Sequence, residues 1–482
     1  MSTVIASDES LTPSLSEKPS PRGFSIKSYL KSQDARFDNH LAYMNPQLPR
    51  VLKTLGFDKK YVRAEGPYLW DEDGCRYLDF LSGYGVFNLG RYHPVIVQTM
   101  KDMLDLKDAS LVQFDCPHLL GELAKALAER VPNPESRVYF TSTGAETVET
   151  AIKFAKAHTK RERILFLEHG FHGLTIGALS VNGCKEFREG FGELLPQCEG
   201  IRLNDLDALE AAVRKKDVAA FVFEPIQGKG VFIPRSGFLK QAEEICHRYG
   251  TLTIADEVQT GMGRTGRFLA LEYEGLNPDI ILISKSLSGG LVPTGAVIAH
   301  DKIFKSVFSR MDRCVVHSSS FGKNSLSAAM GLATLWVIEN ENLLARAREI
   351  GDRIISRLNS LRPKFEMLGE VRGRGCMIGI EFTAPKSLQL RMGWSLLHSL
   401  SKGLFPQLII VPLMRDHCIL TQTSGHNQDI VKILPPLVCS NADVDYFLSS
   451  FERVLELAHT FPGGVWDLGR SLAKAALSDV RG

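Results

Sequence analysis

The sequence lacks a strong charge of either sign: 57 Lys and Arg stand against 55 Asp and Glu, a formal net charge of +2 over 482 residues. No overall field draws such a chain to nucleic acid or to an anionic membrane, so neither is expected as a partner. It also lacks a long apolar run. The longest stretches, such as residues 219–223 and 408–413, fall far short of the roughly 20 residues that cross a bilayer. The N-terminus has no apolar core of the kind a signal peptide needs, and Asp8, Glu9 and Glu17 argue against a transit peptide. Cysteine is sparse and unpatterned, with nine residues and no CxxC pair, which predicts reduced thiols and a cytoplasmic chain. With 44% hydrophobic and 23% charged residues, the disordered, collagen-like and small disulfide-stapled classes are excluded. A large globular enzyme of several domains, acting on small molecules, is the expectation.

Residues 1–24 are rich in Ser, Pro and charge and lack hydrophobic period, so they predict a flexible tail. Residues 25–93 read as a helical region broken at Pro46 and Pro49, then as strands around an Asp73-Gly74 turn. Between 94 and 340, β-rich runs at 137–141, 164–167, 219–223, 251–255 and 280–283 alternate with helical ones. That alternation predicts an α/β domain, a mostly parallel sheet flanked by helices. Residues 341–482 place helical stretches around short strands near 370–382, 408–411 and 418–421, a smaller α+β domain that the N-terminal segment joins. Residues 466–482 are expected as an amphipathic helix packed on it. No internal repeat or coiled-coil pattern is present.

Gly261, Gly263 and Gly266 fit GxGxxG, the phosphate turn of a dinucleotide-binding unit, and would make the chain a nucleotide-dependent oxidoreductase. The context is wrong: residues 256–260 separate the strand from the first glycine, and Pro278 follows too soon for the required helix. A flexible surface loop is the plainer reading. His169 and His172 stand three apart, but no carboxylate or cysteine joins them at metal-ligand spacing.

Chemistry concentrates at strand ends. The apolar run 251–255 delivers Asp256, where open α/β sheets place their ligands, and a buried acid there requires a cation or strong donors. The run 280–283 delivers Lys285, which on losing solvation shifts toward its neutral, nucleophilic form. From these two alone, a Schiff-base lysine and a structural ion pair of Lys285 with Asp256 or Glu257 are equally open. Residues 137–146 add a strand, a small-residue turn and a helix start at Gly144-Ala145, a site for phosphate unless it is ordinary Ser/Thr capping. Together the three supply an anion cradle, an acid for a ring nitrogen and a lysine for an aldehyde, which are the handles of pyridoxal 5′-phosphate.

With these residues in view, the sequence resembles the class III aminotransferases of pyridoxal-phosphate fold type I, especially the ornithine and putrescine branch. The likeness runs from Tyr61 to Leu437. It is carried by YLDFLSGYG at Tyr77, TSTGAETVETAIKFA at Thr141, GFHG at Gly170, EPIQG at Glu224, ADEVQTGMGRTGRF at Ala255, DIILISKSLSGG at Asp279 and SSSFGKN at Ser318. The resemblance implies that Lys285 forms the Schiff base and shuttles protons, while Asp256 pairs with the pyridinium nitrogen. It implies ring contacts from Phe171 and Val258, a bond from Gln259 to the phenolic oxygen, and phosphate-binding amides at Gly144 and Ala145. Ser320 matches a hydroxyl that reaches the phosphate across a homodimer, and Tyr84 and Phe87 match the substrate pocket. The implied reaction moves an amino group from a primary amine, diamine or ω-amino compound to an oxo acid, 2-oxoglutarate or pyruvate. An aminomutase or racemase of the same fold is the alternative.

Two positions depart from the family. Lys229 and Lys432 stand where relatives carry a glutamate and an arginine that gate one pocket for two kinds of substrate. Two ammonium groups ~4 Å apart repel by roughly 4 kcal/mol at an effective dielectric of 20. They must diverge, lose a proton or share an anion. The expectation is that Lys432 helps hold the acceptor oxo acid and Lys229 marks a changed donor pocket, against solvated surface charges as the plain alternative. Lys323 and Ser325 replace the usual Gly and Pro, and Lys323 either adds charge near the phosphate or points outward.

Overall fold

A computed structural model describes residues 24–31, 35–400, 403–425 and 428–460, together with 462, 463, 466 and 469. The expected tail therefore lies outside the described residues but for Phe24, and the C-terminal extension but for Trp466 and Gly469. After three short helices, strands β1 (Tyr61–Glu65), β2 (Tyr68–Asp71) and β3 (Arg76–Asp79) form an antiparallel meander. Asp71 closes its turn, accepting from the amides of Asp73 (3.1 Å) and Cys75 (2.8 Å) and from the Tyr77 hydroxyl (2.9 Å). Pro49 does not break the helical region; it sits in the first turn of the helix Leu48–Leu55, where its missing N–H costs nothing.

The large sheet comprises β4 (Ser136–Thr141), β5 (Arg163–Leu167), β6 (Cys198–Ile201), β7 (Val218–Phe223), β8 (Leu252–Asp256), β9 (Ile280–Ile283) and β10 (Gly295–His300), in the order β4-β10-β9-β8-β7-β5-β6. Only β10 runs antiparallel to its neighbours. Alternation along each strand feeds two cores. Phe221 and Phe223 of β7 join one cluster while Ala220 and Val222 join the other, as do Ile281 and Ile283 against Ile280 and Leu282 on β9. Helix Gly144–Thr159 covers the second face through Val148, Ile152 and Phe154. The sheet is thus buried on both sides, and polar side chains are left at strand ends.

In the C-terminal segment β11 (Leu368–Arg374), β12 (Met377–Phe382), β14 (Gln422–Thr423) and β15 (Ile430–Ile433) make an antiparallel sheet, while β13 (Ile419–Leu420) pairs in parallel with β3. Residues 408–411 are not a strand. They lie in the helix Gln407–His417, buried along Leu408, Ile409, Ile410 and Val411, because a short apolar run has no period to distinguish buried helix from buried strand. A second correction concerns the thiols: Cys75 and Cys418, 343 residues apart, form a disulfide beside the β3–β13 pairing, so the nine are not all reduced. Trp466 is buried, its indole N–H donating to Ala458 O at 3.0 Å. Among the described residues no helix is long and apolar enough to cross a membrane.

The glycine-rich segment 261–266 is a buried loop, not a flexible surface one. Gly263 adopts φ +86°, and a Cβ there would press on Leu344 and Leu437 at 3.1–3.2 Å. The loop carries Arg264 into the interior, where its guanidinium donates to Cys376 O at 3.0 Å, to Pro435 O and to Asn88 Oδ1. Burial lowers its pKa to about 10. Arg264 therefore joins the large sheet to both terminal segments. Replacing it with leucine leaves those oxygens unsatisfied, and we expect a loss of about 3 kcal/mol, read as a lower urea midpoint with unchanged slope.

Candidate active site

Because β8 and β9 are parallel neighbours in register, with Asp256 opposite Leu282, their last residues arrive at one edge. Asp256 ends β8. Lys285 follows β9 after Ser284 and adopts φ +44°, a left-handed conformation that a non-glycine residue holds only where its surroundings impose it. Both line a cavity of about 520 Å³, a size suited to a cofactor with a small substrate.

Lys285 makes no ion pair with Asp256 or Glu257, so the structural-pair alternative fails. Its pKa falls to about 8 because burial disfavours the ammonium more than the charge of Asp256 supports it. Asp256 is fixed through both oxygens, accepting from Val258 N at 3.0 Å and pairing with His172 Nδ1 at 2.7 Å. Burial alone would discharge His172, but the bond to Asp256 and the charges of Asp256 and Glu224 hold its pKa above the ordinary value. Glu257 turns away, accepting from Leu271 N at 2.7 Å and from Thr260, and burial raises its pKa to about 7.

The helix Gly144–Thr159 opens onto the same cavity. Thr143 caps it by accepting from Glu146 N at 3.2 Å, and Glu146 returns to Ser142 N at 2.6 Å, so capping and an exposed helix start coexist. Gly144 and Ala145 line the cavity, and a Cβ on Gly144 would fall 2.9 Å from Val258 Cγ1. Phe171, a second wall, has its amide held by Glu224 at 2.9 Å; the other oxygen of Glu224 takes Gly228 N at 2.9 Å. Gln259 donates to Tyr84 O at 2.9 Å and accepts from Lys432 Nζ, which also donates to Gly228 O.

Lys229 and Lys432 both line this cavity, so neither is a solvated surface charge. They diverge. Lys432 is held by oxygens from the large domain, and burial, followed by the nearby charge of Lys285, drives its pKa well down. Lys229 lies over two rings, its Nζ 5.2 Å from the Phe171 centroid and 5.0 Å from that of Phe187, with its pKa lowered by burial. Phe87 and Ser320 are not in the lining: Phe87 lies under the Arg91 guanidinium at 4.1 Å, and Ser320 is exposed. Lys323 does not line the cavity; it is exposed at the surface, where it donates to Gln113 O and Asp115 O at 2.9 Å each.

Sequence reasoning missed His172, Glu224 and Phe187 as parts of the site. His172 was visible in GFHG and Glu224 in EPIQG, but their partners lie far along the chain. Nothing in the sequence marks Phe187. Among the described residues no group of His, Cys, Asp and Glu could hold a metal ion.

The family model for class III aminotransferases matches residues 55–455. The chain belongs to that family. It is 32% identical to aminotransferase PigE of a Serratia species over 95% of this chain, but spans only 57% of the length of PigE. To the ornithine aminotransferase of Bacillus cereus it is 35% identical, over 82% of this chain and 93% of that one. A solved ornithine aminotransferase of Toxoplasma gondii, with pyridoxal phosphate at its active site, superposes with a TM-score of 0.77 at 28% identity, covering 92% and 100% of the two chains. The chain is therefore a pyridoxal-phosphate-dependent enzyme of fold type I, and neither the mutase or racemase alternative nor the oxidoreductase finds support among these relatives. The residues fit the cofactor: a partly buried amine facing the cavity with no ion pair among the described residues, an acid oriented from both oxygens, and a helix start where only a glycine leaves room. In protein stripped of cofactor, we expect the Lys285 amine to be modified by acylating reagent with half-maximal rate near pH 8, against the ordinary lysine range, as measured by peptide mass spectrometry.

Proposed function

We propose that the enzyme moves an amino group from a primary amine or ω-amino compound to an oxo acid such as 2-oxoglutarate or pyruvate, in two half-reactions with ping-pong kinetics. The observation that carries this is the partly buried Lys285, with no ion pair among the described residues, beside Asp256 at adjoining strand ends. Pyridoxal phosphate, when bound, supplies a ring that accepts the electrons released at the donor carbon. Lys285 would hold the cofactor's aldehyde and would move the proton at the donor carbon. Asp256 keeps a proton on the ring nitrogen, and His172 fixes the orientation of Asp256. The amides of Gly144 and Ala145 receive the phosphate, Phe171 and Val258 contact the ring, and the free N–H of Gln259 reaches the phenolic oxygen. Tyr84 belongs to the substrate wall.

Lys432 spends two of its N–H groups on Gly228 and Gln259, and in its charged form keeps a third for the acceptor's carboxylate. Ser320 serves the second site of a homodimer, a reading supported by its exposure and by the bare rings of Phe114 and Phe321 close by in the sequence or fold. Phe87 acts on the pocket only through the turn that carries Tyr84.

The decisive test is reduction of the purified enzyme with borohydride followed by tryptic digestion. A pyridoxyl mass increment on the peptide containing Lys285 is expected; an unmodified peptide refutes the proposal. Lys432→Ala is expected to raise KM for the oxo acid ~10- to 100-fold with a smaller change in the amine half-reaction, the loss of one charge-assisted hydrogen bond.

A further inference from the structure

Both carboxylates in this cavity are already engaged, and Gln422 Oε1, a buried lining acceptor without a partner among the described residues, is a neutral amide oxygen. Two carboxylates line it among the described residues, Asp256 and Glu224. Asp256 accepts from Val258 and His172, and Glu224 from the amides of Phe171 and Gly228. The aromatic faces are no freer. An ammonium can rest on a ring in place of a carboxylate, but Lys229 already lies over both Phe171 and Phe187 at 5.0–5.2 Å. Three lysines, Lys229, Lys285 and Lys432, face the same space.

Resting on the transaminase reading above, we infer that this site selects an amine donor carrying a single ammonium group, with an uncharged or anionic far end, and discriminates against diamines and diamino acids. The amine that reacts is accommodated by Lys285, which gives up its place to it. A second ammonium on the same molecule would exchange its hydration for at most the neutral amide oxygen of Gln422 and would meet Lys229 as a like charge. A carboxylate at the far end meets the reverse situation: Lys229 is a half-buried cation without an ionic partner, and an anion offsets the cost of its burial. Ornithine carries two amino groups, so the donor differs from the one in the names of the ornithine aminotransferase relatives.

The test uses the holoenzyme and three donors of equal chain length that differ only at the far end: 1-aminopentane, 5-aminopentanoate and 1,5-diaminopentane. The bleaching of the cofactor absorbance in the first half-reaction gives a second-order rate constant for each. Both monoammonium donors are expected to exceed the diamine at least about tenfold. Lys229→Glu is expected to reverse the order of diamine and 5-aminopentanoate, and Lys229→Met to bring them within about threefold. Calorimetric binding of pentanoate, which has no amine and cannot react, should weaken about tenfold in Lys229→Met. Reaction of 1,5-diaminopentane as fast as 1-aminopentane, or equal pentanoate binding in wild type and Lys229→Met, overturns the inference alone. Failure of all three donors overturns the transaminase reading and this inference with it.

Discussion

A lysine withheld from both water and carboxylate sets the terms for the rest of the site. Lys285 stands at the end of β9 in a left-handed backbone conformation, partly buried and with no ion pair among the described residues. A pKa near 8 in place of 10.5 corresponds to roughly 3 kcal/mol of preference for the neutral amine over that of a lysine in water. An ion pair with Asp256 would reverse that preference, and the structure prevents it by occupying Asp256 from two other directions. His172 and the amide of Val258 take its oxygens. In the proposed reaction the acid is thereby kept for a different cation, the protonated ring nitrogen, and the amine for a carbonyl. The same two residue types that form a salt bridge elsewhere are held apart here by what else they touch.

The parts of this arrangement that depend on local chain direction were legible in the sequence. Asp256 and Lys285 each end an apolar run, and a parallel sheet brings such ends to one edge, so two strand assignments sufficed to place them together. Gly144 and Ala145 were legible for the same reason, as a strand feeding a helix start. What escaped were contacts between distant segments. His172 reads as half of a poor metal pair until the fold brings it to Asp256. Glu224 is a motif letter until its oxygens are seen to close on Phe171 and Gly228. The disulfide of Cys75 and Cys418 exists only because β13 returns beside β3, a parallel pairing that no spacing encodes.

Local misreadings have an equally physical origin. Residues 408–411 are apolar without period, and burial on every side removes the pattern that separates helix from strand. Strand β10 follows a Gly-rich stretch, lay outside the β-rich runs legible in the sequence, and reverses direction within the mostly parallel sheet that was expected. The GxGxxG segment shows the converse hazard. Its glycines are required, but by the close approach of the Glu257 carbonyl at Gly261, of Leu344 and Leu437 at Gly263 and of Arg348 at Gly266, and by the path that Arg264 takes inward, not by a phosphate.

Lys229 is held by a different part of the chain from the one that places Lys285 and Asp256. The loop that carries it leaves β7, the strand whose end supplies Glu224, yet residues of the C-terminal segment hold that loop in place. Gly230 N donates to Ser424 Oγ at 2.7 Å, and Arg372 of β11 donates to Gly230 O at 2.8 Å and to Val231 O at 3.0 Å. Lys432 of β15 binds Gly228 O on the other side of Lys229. Lysine 229 is thus bracketed by contacts from one part of the chain while Lys285 and Asp256 are fixed by another. Gln259 and Glu224 link the two sets, and the charge of Lys229 helps lower the Lys285 pKa, so a charge change at 229 would shift the basicity of that amine while the large sheet keeps amine and acid in place.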